Sequence, residues 1–429
     1  MKAMRKNAAI SMKRFSVKRF SAGLFVFSCA FYYMFGSLIN EAVFLSANQA
    51  RLLWVGAVLL IAASYFVYGK GKIPIKMTNR LFPFAVLSFA LLCTASVLWA
   101  TDSAMAYSRA SLLVKFIITL FFLSILFREA DDVRNLLKSI EYGGYMTILY
   151  IISQNGISSM ISMFNTGSRL NYTGAHTNLL GMLAAYSIII CVYFLAEDGF
   201  RLSSLLAIPS LLILIMSVSK KAIFALLFGV ALFFVLNAVK RKKILENFLK
   251  IGFLSLGLLM AVYILFKLPF MAQITKRIHA LLRALTGGAD ASGVDYSTSM
   301  RISLIKTGWK IFREHPLLGV GLDNARLYSA RNLYLHNNYV EIMADLGVVG
   351  LLVYYFPYGV NAAAFLKYRD TGDHEFNICL TLFLLMLILD LGKVSYYSMS
   401  TYYFLLLFCL KARLMKEKAR SHAQPAKGS

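Results

Sequence analysis

Residues 333–352 read LYLHNNYVEIMADLGVVGLL. From Val348 onward the stretch is apolar enough to begin a membrane-crossing helix, yet its front end carries His336, Asn337, Asn338, Glu341 and Asp345. Each of these polar groups costs free energy near hydrocarbon unless it has a partner or a task. The stretch therefore reads as the polar mouth of a transmembrane helix. The rest of the chain must say which side that mouth faces and what meets it.

The chain has 429 residues, of which 59% are hydrophobic and 15% charged, with a mean hydropathy of +0.65. A soluble domain of this length would be nearer about half apolar and about a quarter charged. The apolar residues fall in blocks of roughly 17 to 22, long enough to cross about 30 Å of hydrocarbon. About twelve blocks can be read, at 21–39, 51–68, 81–100, 111–127, 142–160, 179–196, 202–219, 222–239, 248–268, 338–358, 376–391 and 396–411. The fifth is interrupted by Ser153, Gln154, Asn155 and Gly156. The expectation is an all-α polytopic membrane protein, a single membrane domain over residues 1–429 with about twelve transmembrane helices and no internal repeat. The basic start MKAMRKNAAISMKRFSVKRF feeds a full-length apolar span with no small-residue cleavage pattern behind it, so a cleavable signal peptide is not expected.

A net charge of +25 would suit a nucleic-acid partner, but its distribution points to a membrane instead. With the amino terminus inside, most Lys and Arg fall in segments on the same side. Examples are Lys13, Arg14, Lys18 and Arg19, the KRKK run at 240–243, and Lys411, Arg413, Lys416, Lys418 and Arg420. That is the positive-inside bias, and it predicts a cytoplasmic (inner) membrane protein with both termini cytoplasmic and membrane lipid as a partner. The five cysteines, Cys29, Cys93, Cys191, Cys379 and Cys409, are scattered singly inside predicted spans, which indicates packing rather than a disulfide framework or thiolate metal site.

Residues 269–335 form the one long non-membrane segment, and the bias places it outside as a large extracytoplasmic loop. Two amphipathic stretches in it read as interfacial helices. In 271–285, Ile274, Ile278, Leu281 and Leu285 recur at helical spacing; in the second, Ile302, Ile305, Trp309 and Phe312 form a face while Arg301, Lys306, Lys310 and Arg313 project elsewhere. Pro316 ends the second stretch.

The informative cations are those that topology does not require. Arg169 lies between the fifth and sixth blocks, with His176 just after it. Lys220 and Lys221 make up nearly all of the connection after the seventh. Arg301, Arg326 and Arg331 precede His336. If the bundle gathers them, they would repel one another unless they held an anion, and a lipid-attached diphosphate suits both the charge and the bilayer surface. Each also has a plainer reading, as a snorkelling or solvated loop residue, and His336 as a helix cap. His336 and Asp345 are too far apart in sequence to grip one ion, and no motif calls for a metal or a cofactor. Asp390 with Lys393 nearby is either a functional intramembrane charge or a structural ion pair.

The segment HNNYVEIMADLGVVG resembles the signature of the O-antigen ligase and polymerase superfamily, at His336, Asn337, Tyr339, Val340, Ala344, Asp345, Gly347 and Gly350. The approach from Arg301 through WKIFREHPLLGVGLDN is similar to that family's Arg, Trp and hPxxGvG run, with Trp309, Pro316, Gly319 and Gly321. SVLWATDSAMA at 96–106 resembles its Ser-x-x-Trp element, and GAHTNLLG at 174–181 the element that opens the sixth span. One position departs. Where the family usually has Ser-Arg, this chain has Ser219-Lys220-Lys221, which keeps the charge but loses the bidentate fork.

The resemblance implies a membrane glycosyltransferase acting at the extracytoplasmic face. It would move a glycan from undecaprenyl diphosphate to an acceptor hydroxyl, with inversion and without a metal. The acceptor is a lipid-linked repeat for a polymerase and a lipid A-core oligosaccharide for a ligase. His336 would be the catalytic base, with Arg301, Lys220, Lys221, Arg169 and Arg326 on the diphosphate. Asn337 and Asn338 either orient the sugar or cap the helix; Asp345 steadies packing; and Gly347 with Gly350 permits close helix approach. A transporter of lipid-linked sugars is the reading of another class, which predicts charges along a central path and repeated halves.

Overall fold

The computed structural model of the chain describes residues 2–39, 47–69, 71, 80–166, 177–217, 219–241, 296–329, 331–371 and 375–423. These residues form α-helices and short 3-10 turns, with no strand among them. The first half holds α1 (Lys2–Ile39), α2 (Ala47–Tyr68), α3 (Leu81–Ala95), α4 (Ser103–Leu126), α5 (Ala130–Asn155), α6 (Ile157–Thr166) and α7 (Thr177–Asp198). The second holds α8 (Ala207–Met216), α9 (Lys220–Arg241), α10 (Tyr296–Glu314), α11 (Asn338–Lys367), α12 (Phe376–Leu389) and α13 (Met399–Ala423).

Seven helices among the described residues are long and apolar enough to cross a membrane: Phe20–Leu38, Arg51–Tyr68, Leu81–Leu98, Ser103–Leu126, Thr177–Asp198, Lys220–Ala238 and Asn338–Lys367. Leu202–Met216 and Phe376–Leu389 are apolar but shorter. The apolar block at 248–268 and the amphipathic stretch at 271–285 lie outside the described residues. The interruption in the fifth block is a true break: α5 stops at Asn155, Gly156 turns with φ 73°, and α6 follows as a separate short helix. The blocks at 111–127 and 396–411 fall mostly within α4 and α13, which extend beyond them, and α13 runs on into a basic end.

Helix α1 packs along α2 and α5, α7 lies among α5, α8 and α9, and α11 contacts α3, α10 and α13. The shared core is aliphatic and aromatic, with Phe25, Tyr33, Phe89, Ile140, Phe233, Leu382 and Phe404 fully or almost fully buried. Helices apolar on every side, such as α7, occupy the interior.

Some cations that the charge bias assigns to orientation also hold helices together. Arg134 of α5 pairs with Asp198 at 2.5 Å and with Glu375 at 3.6 Å; Lys411 reaches Glu375 at 3.4 Å; and Arg201 reaches the buried Glu141 at 2.8 Å. The more buried of these pairs, Arg201–Glu141 and Lys411–Glu375, restrict which helix ends can meet more than they add net stability.

Candidate active site

Helix α11 is the element that makes the site, and it is not one continuous helix. At Gly347 the backbone turns to φ 66° and ψ −164°, a conformation open to glycine and very few other residues. A broken helix leaves N–H and C=O groups without partners, which is untenable inside a bilayer unless something else supplies them. Here the PLLGVG run does so. Val348 and Val349 donate to the carbonyls of Pro316 and Leu317 at 2.8 and 3.3 Å, while the carbonyls of Ala344 and Asp345 accept from Val320 and Gly321 at 3.0 and 2.8 Å. The loop lies so close that a Cβ on Gly347 would stand 2.1 Å from the Leu317 oxygen, and one on Gly319 2.3 Å from the Asp345 carbonyl carbon. The glycines of the motif thus serve a loop inserted into a helix break. The expected helix-to-helix approach at Gly347 and Gly350 is replaced by this contact, and Gly350 faces its own neighbour Leu346.

The other face of the loop is clasped by the Ser-x-x-Trp element. Ser96 Oγ accepts from Leu322 N at 3.1 Å, Trp99 Nε1 donates to the Leu318 carbonyl at 3.1 Å, and Thr101 N donates to the Val320 carbonyl at 3.2 Å. Asp102 N donates to Asn324 Oδ1 at 2.6 Å. From within α11, the buried Asp345 carboxylate accepts from Asp323 N at 3.1 Å, Ala325 N at 2.7 Å and Tyr396 Oη at 2.8 Å. Asp345 therefore anchors the loop, as the packing reading of it requires.

This loop delivers the chain to His336, which precedes α11 with φ 60° and lies 4.2 Å, ring to ring, from Tyr334. Among the described residues, the non-glycine positions with positive φ are Asp323, Asn332 and His336, all in this approach. Left-handed backbone at such residues persists only where its surroundings over-determine it, and it clusters at functional sites.

The two asparagines have distinct places. Asn337 is the N-cap of α11: Oδ1 accepts from Val340 N at 3.1 Å, and Nδ2 donates to the Leu391 carbonyl at 3.1 Å. Asn338 is fully buried. Its amide donates to Tyr355 Oη at 2.9 Å and Asp390 Oδ2 at 3.3 Å, and accepts from Ser395 N and Tyr396 N at 2.7 and 3.0 Å. Of the two roles open to it, sugar contact and support of the helix start, this geometry matches support. Asp390 itself accepts from Ser395 Oγ at 2.5 Å and Tyr355 Oη at 2.8 Å, so it pins the 390–396 turn to α11.

That turn joins the histidine to the lysines. Lys221 Nζ donates to the carbonyl of Gly392, beside the Leu391 carbonyl that holds Asn337. The charges of Arg301 and Lys393 act on Lys221. Lys220 and Lys221 do not form a connection, as expected from the sequence, but open α9. Cations at a helix N-terminus oppose the helix dipole, and together with the dipole they make the place attractive to an anion. Gly181 of α7 is the reason α7 can press against this corner, since a Cβ there would lie 2.5 Å from Ser217 Oγ and 2.9 Å from Ala222 Cβ.

Arg301 stands on α10, whose packing also differs from expectation. The stripe against α11 is Leu304, Gly308 and Ile311, with Gly308 close to Val340 and Leu335, while Ile302 and Trp309 of the expected face stay exposed. Arg326 is brought to the loop but is paired: Asp323 takes it on one oxygen and Arg109 on the other, the latter at 2.9 Å. Arg331 is exposed. Arg169 and His176 lie outside the described residues. Arg109, Asp323 and Asn324 escape sequence reasoning. An arginine within an apolar helix is a signal in itself, but the block read as starting at 111 belongs to a helix that starts at Ser103, which hides it.

No curated protein matches the chain. Residues 205–355, which run from α8 through the loop, His336 and the break in α11, match the O-antigen ligase family model. The motifs from Arg301 to Gly350 fall within this match, and both support the O-antigen ligase and polymerase superfamily.

Proposed function

We propose that the chain is an inverting, metal-independent glycosyltransferase of surface polysaccharide synthesis, taking its glycan from undecaprenyl diphosphate at the extracytoplasmic face of the cytoplasmic membrane. One observation carries the reading. The turn at 391–392 offers two neighbouring carbonyls, one holding the cap residue beside His336 and the other holding Lys221 of the cation cluster. The candidate base and the candidate anion site thus flank one turn, an arrangement that supports glycosyl transfer from a diphosphate.

In this mechanism the acceptor oxygen attacks the anomeric carbon as the bond from that carbon to the diphosphate oxygen breaks. The acceptor proton passes to the His336 imidazole, whose ordinary titration range suits a base near neutrality. The diphosphate leaves with the bonding electrons, held by Lys221, Arg301 and Lys220, with Arg169 added on sequence grounds. Arg326 shares its charge with Asp323 and contributes less. Asn337, next to the histidine, caps α11 and ties it to the Leu391 carbonyl, and Asn338 fixes the turn behind it.

The test is transfer by purified protein given lipid-linked repeats alone. We favour polymerisation, for which a ladder forms without added core oligosaccharide; product only when lipid A-core is supplied would make the chain a ligase. His336→Gln keeps a hydrogen-bonding tip but cannot take the proton, so it should bind donor and transfer almost nothing. The wild-type rate should fall at acid pH, where a protonated imidazole cannot accept the acceptor's proton. Turnover of His336→Gln within about tenfold of wild type, well short of the effect of losing a general base, would remove the base assignment.

A further inference from the structure

We propose that a second anion site lies at the opposite end of the bundle and takes the phosphate headgroup of an anionic glycerophospholipid. This site is independent of the transfer reaction. It is a cavity of about 340 Å³ where the beginning of α3, the end of α11 and the second half of α13 meet. Four of its lining residues are cations, Arg80, Lys367, Arg413 and Lys416, and no acid is among the lining residues. The wall between them is apolar, Leu81 and Val360 included. Helix α11 starts at the active site and ends here, so the two sites are separated by on the order of 40 Å along its axis.

Two features separate this cavity from a solvated basic patch. Asn361 is completely buried in its wall with Oδ1 unpartnered, although its amide nitrogen donates to Cys409 Sγ at 3.2 Å. Arg413 Nε is likewise buried and unpartnered, while the rest of that guanidinium reaches the Arg128 carbonyl and, at 3.6 Å, Glu417. Buried polar atoms left without partners are rare in folded proteins and mark places where a further group binds. Among the described residues Glu417 and Asp132 act on Arg413, and four cations against these two carboxylates still favour an anion.

The depth and shape identify the anion's carrier. The apolar span of α3 begins at Leu81 and that of α11 ends at Lys367, so the cavity sits where two hydrocarbon-crossing segments give out, at headgroup level. Its flank continues onto exposed apolar side chains, Val360 at 38% and Leu366 at 73% exposure, along which acyl chains can run. In such a fit the phosphate meets Arg413, Lys367, Lys416 and Arg80, and the Asn361 amide meets a headgroup hydroxyl or phosphate oxygen. A neutral headgroup would leave the cations uncompensated.

The experiment is lipid retention by the full chain purified in detergent, read by native mass spectrometry during titration with phosphatidylglycerol or phosphatidylcholine. Wild type should hold one phosphatidylglycerol that phosphatidylcholine does not displace. Lys367→Gln/Lys416→Gln should weaken that binding by roughly tenfold to a hundredfold. Val360→Trp, which fills the apolar wall and leaves every charge in place, should abolish it and decides the matter if the double variant does not fold. Equal retention of the two lipids, or unchanged retention in the variants, would overturn the proposal. Displacement by free sn-glycerol 3-phosphate would also overturn it, by assigning the cavity to a soluble phosphate.

Discussion

Replacing Gly347 by alanine should damage this protein more than any other single-methyl addition to α11. The φ and ψ of Gly347 fall in a region that alanine enters at a cost of about 1–3 kcal/mol. The new methyl would also stand 2.1 Å from the Leu317 oxygen and 2.2 Å from its carbonyl carbon. Those atoms are backbone, so no side chain can swing aside. Relieving the clash means moving the loop away and losing the bonds from Val348 and Val349 to Pro316 and Leu317. Each polar group stranded in an apolar interior costs about 1–3 kcal/mol. The sum, roughly 3–9 kcal/mol for two stranded groups plus the backbone strain, is comparable with the whole stability of an ordinary domain, about 5–15 kcal/mol. Gly359, twelve residues on in the same helix, is the control: a Cβ there meets nothing within 4 Å, and alanine should be neutral or stabilising by about 0.5–1 kcal/mol. Both variants should be followed by thermal unfolding in detergent and by transfer activity. A Gly347→Ala protein that melts and turns over like Gly359→Ala would refute the inserted-loop account of the motif.

Removing one charge-assisted contact to the departing diphosphate should cost about 2–4 kcal/mol, so Arg301→Ala and the pair Lys220→Ala/Lys221→Ala should each lose about 30- to 1000-fold in rate with the fold intact. Lys221→Arg should be mild, and a loss that follows the donor's sugar rather than its diphosphate would contradict the assignment. Asp345→Asn leaves one acceptor oxygen for three donors, the amides of Asp323 and Ala325 and the Tyr396 hydroxyl. It should therefore lower stability by about 1–3 kcal/mol along with transfer, and an unchanged melting temperature would speak against it. Single cysteines at Lys220 and Arg331 in a cysteine-free background should react with a membrane-impermeant thiol reagent in intact spheroplasts, and one at Lys416 only after lysis. The reverse pattern would invert the topology.

Much of the candidate site was legible because its residues are chemically out of place. His336, Lys220, Lys221 and Arg301 are polar or charged at the mouths of apolar segments, and such positions seldom arise without a partner. What resisted reading was direction. Ile302 and Trp309 look like a buried face by periodicity, but the helix has a second stripe, Leu304, Gly308 and Ile311, and only the presence of α11 selects it. Asn337 and Asn338 are adjacent and chemically identical. One caps a helix at the site and the other is buried behind it, because successive residues at a helix start point in different directions.

The sequence by itself determined a helical membrane protein, the likeness to the O-antigen ligase and polymerase superfamily and the segment proposed to carry the chemistry, since hydropathy blocks and spaced motifs are local properties of the chain. Tertiary structure alone decided why the motifs occur together. The break at Gly347, the PLLGVG loop that fills it, the clasp from Ser96 and Trp99 and the anchor from Asp345 come from segments up to about 250 residues apart. They depend on one another because in hydrocarbon a broken helix must find its hydrogen bonds within the protein.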